Sequence, residues 1–451
     1  MVLAIKRTRR RSAFDIVKFY STRDRKQERV DLDDALAMGL APDGGLFVPE
    51  SLPRHDYRSW SAQSPAEVAT TYLTPFFAES SLRGALPDIA AETFSFPLPV
   101  VPVSVAEGSA SVLELFHGPT AAFKDVGARF LAACLTRLKP KDHDTTILVA
   151  TSGDTGGAVA SAFHGRPGVR VVVLFPLGRV SQRQQQQLTC WGENVTAIAV
   201  RGSFDDCQRM VKAAFVEPTL AEQYHFSSAN SINIGRLLPQ SAYYAYTSLH
   251  HHRNTGKPLS FVIPTGNLGN GLAAVLARAC GMPIGDIRFA TNANRTLPDY
   301  FASGEYEPRD SVATLASAMD VGAPSNLERL RTVFGEADAL TGHGLDVLSI
   351  DDKSIADRIR SDAVRLPFVW CPHSATAMAA WLDLDAGRRD NSDWCLVATA
   401  HPAKFETIVE PLVGHTVEMP PALADLMDRP SSFATIDADL ASLAATLAGE
   451  A

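Results

Sequence analysis

The sequence predicts an α/β protein, with parallel sheets covered on both faces by helices and a smaller unit ahead of them. Three observations carry that expectation. Apolar runs at Thr146–Ala150, Val169–Phe175, Asn194–Val200, Phe261–Pro264, Ile287–Ala290 and Cys395–Thr399 lack the alternation of a half-exposed strand. Such runs suit strands buried on both faces of a parallel sheet. Two of them lead directly into a glycine-rich loop and then an apolar helical pattern: Thr151-Ser152-Gly153-Asp154-Thr155-Gly156-Gly157 and Gly266-Asn267-Leu268-Gly269-Asn270-Gly271. Finally, 451 residues are enough for two or three domains.

Taken in order, Lys6-Arg7-Thr8-Arg9-Arg10-Arg11 is a basic run with no long apolar segment after it, so it is not a secretory signal. It reads as part of a disordered extension over residues 1–17, with a short organelle-targeting presequence as the alternative. Leu32, Ala35, Leu36 and Met38 have helical spacing after Asp31, and Gly44-Gly45 turns the chain into a short strand at Leu46-Phe47-Val48. Helical spacing returns between Pro65 and Leu82. Phe94-Ser95-Phe96-Pro97-Leu98-Pro99 reads as a linker, after which strand, loop and helix alternate through Ala400. The glutamines 184–187 fall in a helical context behind Ser181, a suitable N-cap. Residues after Gly414 read as a C-terminal helical cap.

Composition narrows the function. Hydrophobic content of 46% and charged content of 20% are those of a globular protein. A net charge of −8 argues against general nucleic-acid binding. No apolar run approaches the length of a membrane span. The six cysteines are scattered without a C-x-x-C pair, as in a reducing cytoplasm. There is no H-E-x-x-H motif, and His250-His251-His252 are three neighbours that cannot all face one metal, so no metal is expected. No G-x-S-x-G supports hydrolase chemistry.

The chemistry concentrates around Lys124. It lies between Phe123 and Asp125, just after the Gly118-Pro119 turn. Desolvation beside an aromatic ring lowers an ammonium pKa, and a neutral amine attacks carbonyls. A lysine here is equally compatible with a surface charge. Each glycine-rich loop would aim backbone N–H groups and a helix dipole at an anion, so a phosphate fits either. Both are also compatible with ordinary α/β turns that use glycine for positive φ. Neither matches the dinucleotide or Walker pattern.

Together with these segments, Glu114-Leu115-Phe116-His117-Gly118-Pro119-Thr120, Ser228-Ala229-Asn230-Ser231-Ile232-Asn233, Ala318-Met319-Asp320-Val321, Thr399-Ala400-His401-Pro402-Ala403-Lys404-Phe405 and the early Asp43-Gly44-Gly45-Leu46-Phe47-Val48-Pro49 stand in a fixed order. The chain resembles the pyridoxal-phosphate enzymes of the tryptophan-synthase type (fold type II), and within them the threonine synthase family. That resemblance implies an N-terminal domain at 18–95, a large cofactor domain from 96–140 and 255–451, and a smaller inserted α/β domain at 141–254. It implies pyridoxal 5'-phosphate as cofactor, Lys124 as the lysine that carries it, and Gly266, Asn267, Leu268, Gly269 and Asn270 as the cup for its phosphate. Leu268 stands where relatives can have an aromatic. Thr399 would face the pyridine nitrogen, and Phe123 would lie near the ring or in the core.

The Thr151, Ser152, Asp154 and Thr155 loop would take a substrate carboxylate, although the charge of Asp154 suits loop orientation or a place near a cofactor oxygen better. Ser231, Asn233, Arg236 and Lys404 are the candidates for a substrate phosphate, and Arg236 and Lys404 are equally compatible with solvated charges. Asp125 would pair with Arg129 one helical turn on. His117, His373 and His401 sit in motifs, or are hydrogen-bonded core residues. The implied reaction converts O-phospho-L-homoserine and water to L-threonine and phosphate, in a cytoplasmic monomer or homodimer with no nucleic-acid or membrane partner. A serine or threonine dehydratase, a phosphonate-using paralogue and a catalytically silent phospho-ligand binder are the rivals.

Overall fold

A computed structural model describes residues 16–24, 26, 28–138, 143–151 and 153–449. In the N-terminal unit, β1 (Phe19–Ser21) pairs antiparallel with β2 (Phe47–Pro49). Two of its three helices follow the polar signals that open them. Asp31 caps Leu32–Met38, and a capping box of Ser64 and Glu67 opens Pro65–Leu73. Leu86–Thr93 carries its proline in the first turn. No element lies between Thr93 and Val100, as the proline pattern predicts.

The larger sheet contains β3 (Val100–Val105), β4 (Gly108–Glu114), β9 (Leu259–Pro264), β10 (Ile284–Thr291), β11 (Leu345–Ser349) and β12 (Asp393–Ala398), in the order β11-β10-β9-β12-β4-β3. All its pairings are parallel except β3 with β4. Every residue of β9 is buried, which explains its uninterrupted apolar run. The edge strand β3 tolerates Pro102, because its outer side needs no ladder donor.

The smaller sheet is wholly parallel. It contains β5 (Thr145–Ala150), β6 (Val169–Pro176), β7 (Val195–Arg201), β8 (Phe226–Ser227) and β13 (Ala434–Asp437), in the order β13-β7-β6-β5-β8. The 22-residue helix Ile234–Thr255 is buried over most of its first four turns. It packs against the helices Pro65–Leu73, Lys124–Leu135 and Gly269–Ala279.

Two expectations change. The C-terminal segment is not simply a helical cap on the larger unit: β13 extends the smaller sheet, and the helix Leu440–Ala448 packs there with it. Of the extension 1–17, residues 1–15 lie outside the described residues, and Val17 is already buried in the core. No helix among the described residues is long and apolar enough to cross a membrane.

Candidate active site

Three strands deliver the site at their C-terminal ends, where ligands collect in open α/β sheets. β5 leads to Thr151, β9 to Thr265 and β12 to Thr399. One cavity of about 1080 Å³ is lined by Phe123, Lys124, Thr151, Asp154, Thr155, Ser231, Arg236, residues 266–270, His373 and Thr399. The Lys124 segment reaches it through backbone contacts with β12: the Phe123 amide donates to the Thr399 carbonyl at 2.8 Å, and Ala122 bridges Ala400.

Lys124 is the first residue of its helix. The turn before it is stapled from below, because Asp125 accepts from the Thr120 amide at 2.9 Å and from its hydroxyl at 2.6 Å. A Cβ on Gly118 would come within 2.5 Å of that carboxylate, so the staple requires glycine there. Asp125 therefore makes no ion pair with Arg129, contrary to the helical-spacing expectation. Arg129 instead donates to the Glu92 carbonyl at 2.6 Å and to Ser95 at 3.0 Å. The Lys124 ammonium lies 5.6 Å from the Phe123 ring centroid and 3.9 Å from Asp154 Oδ2. Burial lowers its pKa, Asp154 opposes that, and Lys404 and Arg236 push the same way as burial.

Residues 266–270 form an uncharged cradle. Gly266 is required by close approach, since a Cβ there would lie 2.7 Å from Met319 Cα. The positive φ expected of a glycine falls on Leu268 instead, at 62°, with its side chain buried. Among the described residues, the amides of Gly266, Asn267 and Leu268 donate to no protein acceptor. Asn270 Oδ1 accepts from the Tyr243 and Tyr244 hydroxyls, while its buried Nδ2 has no partner. Orphan donors at a helix N-terminus suit a phosphate.

The other loop is chemically different. Thr151 Oγ1 accepts from the amides of Gly153 and Gly156, both at 2.9 Å, so two of its donors are already used. Asp154 is buried and meets Lys404 at 3.1 Å and Gln184 at 3.2 Å. Burial alone would raise its pKa, yet Lys404 and Lys124 hold it well below the usual carboxylate range. Thr155 lines the cavity, whereas Ser152 lies outside the described residues.

The phosphate candidates separate. Ser231 accepts from Asn267 Nδ2 at 2.6 Å at the cavity wall. Arg236 is buried there, its guanidinium donating to the Ala229 and Lys124 carbonyls, and burial pulls its pKa down to about 10. Asn233 does not line the cavity. It caps the helix it precedes and donates to the carbonyls of Leu36 and Ser228. Lys404 is neither solvated nor at the cavity wall, because its fully buried ammonium donates to the Thr120 carbonyl at 2.6 Å.

Further groups surround the cavity, among them His373, which is a hydrogen-bonded buried residue, one of its two expected readings. His373 Nε2 accepts from the Ala318 amide at 3.1 Å, and burial holds its pKa near 4. The Ala318–Val321 motif turns out to be the wall that closes over Gly266. Arg309 and Arg331 also line the cavity, and no sequence pattern marks them.

Residues 111–400 match the pyridoxal-phosphate dependent enzyme family, 18–94 the threonine synthase N terminus and 374–446 the threonine synthase C-terminal family. The chain is 37% identical over 431 residues to the threonine synthase of Escherichia coli K12, covering 95% of this chain and 98% of that protein. It is 36% identical to that of Serratia marcescens, covering 96% and 99%. The crystal structure of pyridoxal-phosphate-bound threonine synthase from Brucella melitensis superposes with a TM-score of 0.86 at 34% identity, covering 96% of this chain and 99% of that one.

Proposed function

We propose that this chain, which belongs to the threonine synthase family of pyridoxal-phosphate-dependent enzymes, converts O-phospho-L-homoserine and water to L-threonine and inorganic phosphate. The observation that carries this reading is one cavity lined by the Lys124 amine, two unlike loops, a buried arginine and Ser231. The orphan Asn270 Nδ2 and the space kept by Gly266 fit the cofactor's phosphate. When bound, pyridoxal phosphate supplies a conjugated electron sink for negative charge developing on the substrate carbons.

The chain's own groups do the rest. Residues 266–270 hold the cofactor phosphate through free amides and the dipole of the helix Gly269–Ala279. Thr399 offers a hydroxyl, not a carboxylate, to the pyridine nitrogen, so that nitrogen is not forced to carry a proton. The Lys124 amine, whose pKa burial lowers, takes and returns protons at the α, β and γ carbons. The free donors at the start of the helix Asp154–Phe163 receive the substrate carboxylate. Ser231 and Arg236 receive its phosphate. The Cγ–O bond breaks with phosphate as leaving group, and a water oxygen bonds to Cβ. The six cysteines are all unpaired and buried, which supports a cytoplasmic setting.

Product analysis tests the reading. Incubation with O-phospho-L-homoserine is expected to release threonine and phosphate in equal amounts. Conversion of L-serine to pyruvate with no reaction on the phosphorylated substrate would assign a dehydratase instead.

A further inference from the structure

We propose that Lys404 is a positioning residue: it occupies the Asp154 carboxylate and thereby denies Lys124 a full counter-ion. The inference rests on Lys124 being the cofactor lysine. Three charges meet here: Asp154 and Lys404 are closed off from water, and Lys124, 16% exposed, faces the cavity. Asp154 lies 3.1 Å from the Lys404 ammonium and 3.9 Å from that of Lys124, and the side chains of Asp154 and Lys404 are 3% and 0% exposed. One carboxylate compensates one ammonium, and the closer pair takes the larger share.

The arrangement around Lys404 holds it in place. Its second donor goes to the Thr120 carbonyl at 2.6 Å, which also accepts from Gln187 at 3.1 Å. Gln184 donates at 3.2 Å to Asp154 Oδ1, the oxygen that Lys404 also meets, while Lys124 faces Oδ2. Gln184 is packed so tightly on Gly153 that a Cβ there would lie 2.7 Å from its amide nitrogen. The segment before Lys124, the loop after β5, the helix Gln182–Thr189 and the turn Pro402–Phe405 are thus tied at one point.

The groups facing Lys124 are Asp154, Lys404, Arg236 and His373, and burial keeps His373 neutral. Asp125 is committed to Thr120. Among these, Asp154 is the anion placed to hold Lys124 as an ammonium. A lone Asp154 would do so, and a reactive amine needs the opposite. A second buried lysine solves this without removing the carboxylate from the loop.

The test uses the cofactor-loaded protein. Borohydride reduction and peptide mapping first locate the cofactor, and label on a lysine other than Lys124 overturns the assignment beneath this proposal along with it. With label on Lys124, the pH midpoint of the cofactor's visible absorbance is read in variants. Lys404→Met is expected to raise the midpoint by about one unit, and Lys404→Arg to leave it near the parent value. A lower melting temperature with an unmoved midpoint in Lys404→Met would make Lys404 structural only and overturn the proposal. If Lys404→Met does not fold, the pair of charges is removed together. Asp154→Asn alone is expected to lower the midpoint by about one unit, and Asp154→Asn with Lys404→Met to return it toward the parent. An equal drop in both would show that Asp154 acts without Lys404, and overturn the proposal.

Discussion

The two glycine-rich loops are built alike and have come to hold different things. Each follows a buried parallel strand and opens a helix. The loop after β9 has no charged residue and leaves its amides and Asn270 Nδ2 free. The loop after β5 spends two amides on Thr151 and carries Asp154, whose charge is compensated by lysines from two other segments. A dianion is welcome at the first and opposed at the second. The helix dipole is common to both, so it does not decide the ligand. The charges and the donors already used decide it.

The largest effect is expected where the loops meet. Lys124→Ala should abolish turnover, because the cavity's other lysine, Lys212, lies on the helix Phe204–Val216 and not at the head of a site helix. Activity above about one-thousandth of the parent would remove Lys124 from the chemistry. The next effect separates the loops. Gly266→Ala places a Cβ 2.7 Å from the Met319 backbone, so the wall over the cradle must shift. Cofactor affinity is expected to fall at least about tenfold, and an equilibrium titration within twofold of the parent would place the phosphate elsewhere.

These distinctions were only partly legible in the sequence. Lys124 and both loops announce themselves as short motifs, and the core strands as unbroken apolar runs. β13 does not, because Ala434–Asp437 is a four-residue edge strand with a single buried residue, Ile436. The capping role of Asn233 was open to the N-cap rule, since a helix follows it directly. The burial of Lys404 had no local signal. Its partners, Thr120 and Asp154, lie far away in the chain and meet it only through the tertiary fold. Likewise, nothing in Ala318-Met319-Asp320 states that its backbone will press on Gly266.

Acid should act through two groups at the wall that closes over Gly266. His373 has its pKa lowered by burial from 6.5 to about 4, so its neutral form is what the folded protein stabilises. That contribution is complete above pH 6.5 and is lost as pH falls from there toward 4, at about 1.4 kcal/mol per pH unit. Asp320 works in the opposite direction. Burial raises its pKa from 3.8 to about 6, so it costs stability as pH rises through that interval. Urea unfolding at pH 7 and pH 5 should show His373→Gln losing about 2 kcal/mol less than the parent between the two. Equal losses in both proteins would mean that folding does not shift the His373 pKa. Residues 266–270 themselves hold no titrating side chain.

The smallest effect sharpens the comparison within the neutral loop itself. Gly269 opens the helix, and a glycine beside a phosphate site invites the same reading as Gly266. Its surroundings differ. A Cβ at Gly269 would meet only Asn326 Nδ2 and Ser231 Cβ, each at 3.7 Å, an ordinary contact distance, and its φ is not in the left-handed region. The strained position next to it, Leu268, already bears a side chain. Alanine is also the better helix former by roughly 1 kcal/mol, which favours the change in the first turn. Gly269→Ala is therefore expected to bind cofactor within about threefold of the parent and to unfold no more easily. A tenfold loss of affinity would show that the phosphate itself lies against the Gly269 Cα, and that this loop needs both glycines for the same reason.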